Sequence, residues 1–181
     1  QLKAGQLAAG VAVLSGKDRF LNLQGVAGAG KSTLLGALDK VLGAEGVKLI
    51  GLAFQNKMVA DLRGGASGTM SVEQMKEAGI EAWTIAGFIN KHGSAAAQGS
   101  GERFAASKAA LRNTVIITDE SSMVSSRDML RLTAIAEQLD VAKAPFMGDR
   151  QQLSAIEQGK MFAVSQAAGQ ATVRMDENIR Q

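Results

Sequence analysis

Two rhythms of apolar residues run through the chain. Short, continuous apolar stretches occur at Phe20-Leu21-Asn22-Leu23, at residues 47–53, at Val115-Ile116-Ile117 and at Ala144-Pro145-Phe146-Met147, with a fifth candidate at residues 171–175. A strand with one solvated face alternates apolar with polar positions, whereas a continuous run fits a strand covered on both faces, as in a parallel sheet. Between these stretches the spacing changes to that of a helix. Leu34, Leu35, Leu38, Val41 and Leu42 fall on one helical face, and so do Met129, Leu132, Ala136 and Leu139. Ser71 stands three residues before Gln74, and Ser125 three before Asp128, which is the spacing of helix N-caps. Strand and helix in alternation predict an α/β fold, a doubly wound and mostly parallel central sheet flanked by helices. The Gly-, Ser- and Ala-rich stretch at about residues 92–104 predicts a mobile surface loop inside the same domain, with His92 solvated beside it. Trp83 and Phe88 are expected in the core.

Composition narrows the class. A chain of 181 residues suits one compact domain spanning residues 1–181. Hydrophobic residues at 46% against 20% charged ones exclude a disordered polymer. No apolar run approaches the roughly 20 residues that span a bilayer, and the first 16 residues lack the layout of a secretory signal. Without Cys there is neither disulfide nor thiolate metal site, and a single His gives zinc no support. A cytoplasmic location is the expectation. A net charge of +3 is a mild bias toward polyanions and decides nothing alone. The chain starts without Met and stops directly after Asn178-Ile179-Arg180-Gln181, so it is expected to be a piece of a longer polypeptide.

The chemistry concentrates at Gly25-Val26-Ala27-Gly28-Ala29-Gly30-Lys31-Ser32, a complete P-loop pattern placed after a predicted strand and before a predicted helix. Glycines let successive backbone N–H groups turn inward around a phosphate, and the helix N-terminus adds positive potential. Lys31 is the candidate for the terminal phosphates, and the Ser32 hydroxyl a ligand of Mg²⁺. The partner acid belongs at the end of a neighbouring strand. Asp119 follows Val115-Ile116-Ile117-Thr118 and is placed to hold Mg²⁺ through water, while Glu120 would polarise the attacking water. ATP and Mg²⁺ are the implied cofactors. A P-loop kinase of small molecules would share the loop but has no need of an acidic pair followed by Ser121-Ser122-Met123.

The remaining segments resemble superfamily 1 helicases of the RecD-like group, and most of all the helicase region of conjugative relaxases of the TraI and TrwC type (the MobF family). The likeness covers nearly the whole chain, in order, and implies the first RecA-like motor domain of a P-loop NTPase. Gln6 resembles the glutamine that reads adenine, and Gly25 through Thr33 the first motif. Residues 51–57 resemble motif Ia, and Trp83-Thr84-Ile85-Ala86-Gly87-Phe88 the next DNA-contacting motif. Asp119-Glu120-Ser121-Ser122-Met123 resembles motif II. In Gly148-Asp149-Arg150-Gln151-Gln152-Leu153 the γ-phosphate sensor falls on Gln152, and in the last five residues the phosphate-contacting arginine falls on Arg180. Motif Ia departs from the family, with Phe54-Gln55 where Pro-Thr is common. Gln55, Asn56 and Lys57 remain donors for a DNA backbone, and Phe54 is either a base-stacking platform or a core residue. Thr84 is a further DNA candidate.

What the resemblance implies is an ATP-dependent single-stranded DNA translocase or helicase, moving 5′→3′, within a relaxase-helicase of plasmid transfer. Its implied partners are single-stranded DNA, a second RecA-like domain of the same polypeptide, a relaxase domain in cis and a type IV secretion system. The alternative is a degenerate helicase copy that grips DNA or serves secretion-signal recognition without hydrolysis. Lys31, Asp119, Glu120, Gln152 and Arg180 are all present, which favours the motor.

Overall fold

The computed structural model describes residues 15–17, 19–24, 29–54, 70–119, 125–148 and 171–174. Six strands among them form one sheet: β1 (Leu21–Gln24), β2 (Lys48–Ala53), β3 (Glu81–Thr84), β4 (Thr114–Thr118), β5 (Phe146–Gly148) and β6 (Ala171–Arg174). Their order is β3-β2-β4-β5-β1-β6, and every pairing is parallel. Among the described residues, five helices lie between the strands: α1 (Ala29–Ala44), α2 (Val72–Glu77), α3 (Ile85–Gln98), α4 (Glu102–Ala110) and α5 (Ser126–Gln138). The five strands expected from apolar runs are all present, with ends within a residue or two of expectation.

Parallel crossovers are right-handed, so the direction of travel across the sheet decides which face a helix covers. The steps β1 to β2 and β2 to β3 move toward the β3 edge and carry α1 and α2. The steps β3 to β4 and β4 to β5 move back and carry α3, α4 and α5. The core divides accordingly. Leu49, Ala53, Val115, Ile117 and Met147 pack with Leu34, Leu35, Leu38 and Leu42 of α1 and with Met75 of α2. Ile50, Leu52, Ile116 and Phe146 pack with Ile85, Phe88 and Ile89 of α3 and with Met129, Leu132, Ile135 and Ala136 of α5. Neighbouring positions on one strand serve opposite layers, the period of two that a pleated strand imposes. Hence β2 and β4 read as unbroken apolar runs: all five residues of β4 are buried, as are five of the six in β2. Val41, expected on the buried face of α1, lies 47% exposed.

Helix starts follow their caps. Ser71 Oγ accepts from the Gln74 N–H (3.2 Å) while Gln74 Oε1 accepts from the Ser71 N–H (2.9 Å), a closed capping box on α2. Ser125 Oγ accepts from the Asp128 N–H and starts α5. Thr84 does the same for α3 through the Gly87 N–H at 3.0 Å.

Two further expectations are overturned. The stretch at 92–104 is not a mobile loop: α3 continues to Gln98, Gly99 ends it in the left-handed region (φ 69°), and α4 begins at Glu102. Alanine is the strongest helix former and glycine a favoured C-terminal cap, so a composition that resembles a linker encodes a helical hairpin. The buried set Ile85, Phe88, Ile89, His92, Ala95, Ala96 keeps helical spacing throughout. His92, expected in solvent, is therefore buried. Its Nδ1 lies 3.0 Å from Ser107 Oγ on α4, and its ring packs 4.9 Å from that of Phe88. Burial pulls its pKa below the usual value, with the charges of Lys91 and Lys48 adding to the effect. Strand β3 was not foreseen. It is short, at the sheet edge, and only Ala82 of its four residues is buried.

Candidate active site

In an open parallel sheet, ligands bind beyond the carboxyl ends of the strands. Here β4, β5 and β1 are adjacent, with Thr118 opposite Phe146 and Gln24 opposite Gly148. The acid after β4 and the helix after β1 therefore meet across the end of β5. Lys31 is the third residue of α1 and Asp119 follows β4 directly. Lys31 Nζ lies 3.1 Å from Asp119 Oδ1, and both side chains are fully buried. The second carboxylate oxygen accepts from the Met70 N–H at 2.8 Å, just ahead of the α2 cap. The Asp119 N–H donates to the Leu52 carbonyl of β2 at 2.9 Å. A carboxylate buried this deeply stays ionised only when charge or hydrogen bonds compensate it, and an ammonium and an amide do so here. Ser32 and Thr33, next along α1, are exposed.

The residues fit a magnesium ion. A hydroxyl at an exposed first turn and a carboxylate at the neighbouring strand end are hard oxygen donors, the kind Mg²⁺ takes while relying on phosphates and water for the rest. Among the described residues, no group of three or more His, Cys, Asp or Glu could hold a metal ion.

Of the predicted nucleotide residues, Lys31 and Asp119 are brought together, with Ala29, Gly30, Ser32 and Thr33 in the same helix start. Gln6, Gly25, Val26, Ala27, Gly28, Glu120, Gln152 and Arg180 lie outside the described residues, as do Gln55, Asn56 and Lys57. Two DNA candidates are described. Ala53 pairs with Thr84 in the β2–β3 register, so Phe54 and Thr84 sit at the same edge as the acid. Phe54 is half-buried against the α3–α5 layer, so the core shares in its role. The Thr84 hydroxyl already caps α3 as an acceptor. Phe88 is in the core as expected, whereas Trp83 is half-buried with Lys91 Nζ 4.7 Å above its ring. The Met70 amide is the contributor that sequence reasoning missed, because a main-chain donor leaves no side-chain signature.

A family profile described as "AAA domain" matches residues 1–181. The chain belongs to the AAA domain family. Across its whole length it is also 33% identical, over 186 residues, to the multifunctional conjugation protein TraI of Escherichia coli, of which the match covers 9%. It is 29% identical over 159 residues, 87% of the chain, to a probable conjugal transfer protein TraA of Sinorhizobium fredii, covering 12% of that protein. The chain thus spans about a tenth of the length of these curated relatives. Among solved structures, the Pif1 helicase from Candida albicans superposes with a TM-score of 0.53 at 22% identity, covering 96% of this chain and 40% of that one. The Hef helicase domain of Pyrococcus furiosus gives 0.56 at 12% identity, covering 98% and 39%. These two likenesses establish the fold, a RecA-like α/β domain, and the likeness to TraI agrees with the resemblance read from the motifs.

Proposed function

We propose that this AAA domain is the first RecA-like motor domain of an ATP-dependent single-stranded DNA helicase acting in conjugative transfer. The observation that carries the reading is the buried contact of Lys31 with Asp119. It brings the lysine of a complete P-loop and a strand-end acid together where a triphosphate and its metal are needed. The 33% identity to TraI and the name of the TraA relative supply the conjugative context.

In this reading Gln6 recognises adenine, and the backbone of residues 25–33 wraps the phosphates with Lys31 beside them. Magnesium would be held by Ser32 directly and by Asp119 through water, and when bound it neutralises charge on the β- and γ-oxygens. Glu120 orients the attacking water, Gln152 senses the γ-phosphate and Arg180 stabilises the spreading charge. Phe54, Gln55, Asn56, Lys57 and Thr84 contact single-stranded DNA. A second RecA-like domain on the same polypeptide closes the cleft. Translocation runs 5′→3′ in the cytoplasm, alongside a relaxase domain in cis and a type IV secretion system. No helix among the described residues is long and apolar enough to cross a membrane.

The test is steady-state ATPase activity. Residues 1–181 alone bind Mg–nucleotide weakly and turn it over poorly. The polypeptide carrying the second motor domain shows turnover stimulated by single-stranded DNA, and Lys31→Ala abolishes it. Undiminished turnover in that variant would move the assignment to a DNA-gripping module without hydrolysis.

A further inference from the structure

Two of the groups that meet the carboxylate of Asp119 are unlike each other. Oδ1 meets Lys31, a long side chain arriving on α1. Oδ2 meets the main-chain amide of Met70. That amide belongs to a fixed frame. Met70 is only 7% exposed and directly precedes Ser71, whose reciprocal bonds with Gln74 close the start of α2. Helix α2 is seated hard on β2: a Cβ on Gly51 would lie 2.7 Å from Met75 Sδ and 3.0 Å from Ile80 Cδ1. Strand β2 in turn accepts the Asp119 N–H through Leu52. Main chain of β2 and the amide ahead of the α2 cap thus hold the acid through backbone groups, whereas Lys31 reaches it on a side chain of four methylenes.

We propose that the Met70 amide is a positioning group for the metal acid, anchoring Oδ2 so that Oδ1 is the oxygen exchanged between Lys31 and the water shell of magnesium. The inference rests on the nucleotide reading above. When the ammonium is drawn to a phosphate, a buried carboxylate needs a donor that a phosphate cannot draw away, and a peptide N–H in a capped helix start is such a donor. Holding one oxygen also fixes the direction of the other.

Two measurements test it on the 181-residue chain. In the ¹⁵N-labelled protein, the Met70 amide is protected from exchange both without nucleotide and at saturating Mg–ATPγS, and Asp119→Ala lowers that protection at least tenfold. Loss of protection on saturation, or full protection in Asp119→Ala, overturns the proposal. In the second, mant-ATP affinity is titrated with and without Mg²⁺. Met70→Pro, which lacks the N–H, loses about tenfold of the magnesium-dependent gain in affinity, whereas Met70→Ala, which keeps it, stays within about twofold. An equal loss with and without Mg²⁺ is what a packing defect produces and also overturns it. Where Met70→Pro fails to fold, the exchange measurement decides. No saturable binding by the wild-type chain, nor by the polypeptide that carries both motor domains, would overturn the nucleotide reading, and this inference with it.

Discussion

Replacing Lys31 by Met tests whether the P-loop lysine holds the fold as well as the substrate. The ammonium and the Asp119 carboxylate are fully buried and 3.1 Å apart. Desolvating two ions offsets most of their attraction, so the pair as a whole contributes little. Removing one member is a different perturbation, because it strands the other charge, at a typical cost of about 3–5 kcal/mol. Asp119 keeps the Met70 N–H, and a hydrogen bond to a charged group is worth about 1.5–3 kcal/mol, so the lower end of that range is expected for Lys31→Met, about 3 kcal/mol. For a chain of this size that is a fall of about 6–12 °C in Tm. In Lys31→Met/Asp119→Asn no charge is stranded, and the double variant should regain about 2 kcal/mol over the sum of the single losses. Urea unfolding followed by the fluorescence of Trp83, the chain's one tryptophan, measures all four proteins. The reasoning is refuted if Lys31→Met lies within about 0.5 kcal/mol of wild type, or if the two losses simply add.

Other parts of the fold make separate predictions. Gly51→Ala forces Met75 and Ile80 away from β2 and should cost about 1–3 kcal/mol in urea unfolding, and adding Met75→Ala should recover part of it; a neutral Gly51→Ala would show that α2 is not seated as described. Ser71→Ala removes a reciprocal cap and should cost about 1–2 kcal/mol, against about 0.5–1 for Ser125→Ala, which loses one bond. His92 is the only histidine, and its folded pKa lies below the unfolded value near 6.5. The unfolded chain therefore binds a proton more readily, and stability present above pH 6.5 is lost as pH falls through and below that value. Comparing urea midpoints at pH 7.5 and 5.5 should show a larger acid loss in wild type than in His92→Gln, and parallel behaviour would contradict the buried neutral imidazole.

Much of the fold was legible because burial on both faces leaves a simple trace. Five strands were marked by apolar runs, and Ser71 and Ser125 announced two helices through side chains that must satisfy orphan amides. Strand β3 escaped because a short edge strand buries only one residue fully and has one neighbour to pair with. The α3–α4 hairpin escaped for the opposite reason. Alanine and glycine dominate it, and composition alone does not separate a small-residue helix from a linker, although the spacing from Ile85 to Ala96 does. At the site, Lys31 and Asp119 were legible as motif members 88 positions apart, and their contact is what the sheet order supplies. Met70 was not legible, since its contribution is an N–H that every residue but proline carries.

The most direct test of the account is an isothermal titration, with ATPγS in the presence of Mg²⁺, of the polypeptide that carries both motor domains, repeated on its Lys31→Ala variant at a temperature where both proteins are folded. Saturable heat in the wild type that needs Mg²⁺ and vanishes in Lys31→Ala is the predicted result. Equal heats from the two proteins, or none from either, would contradict it.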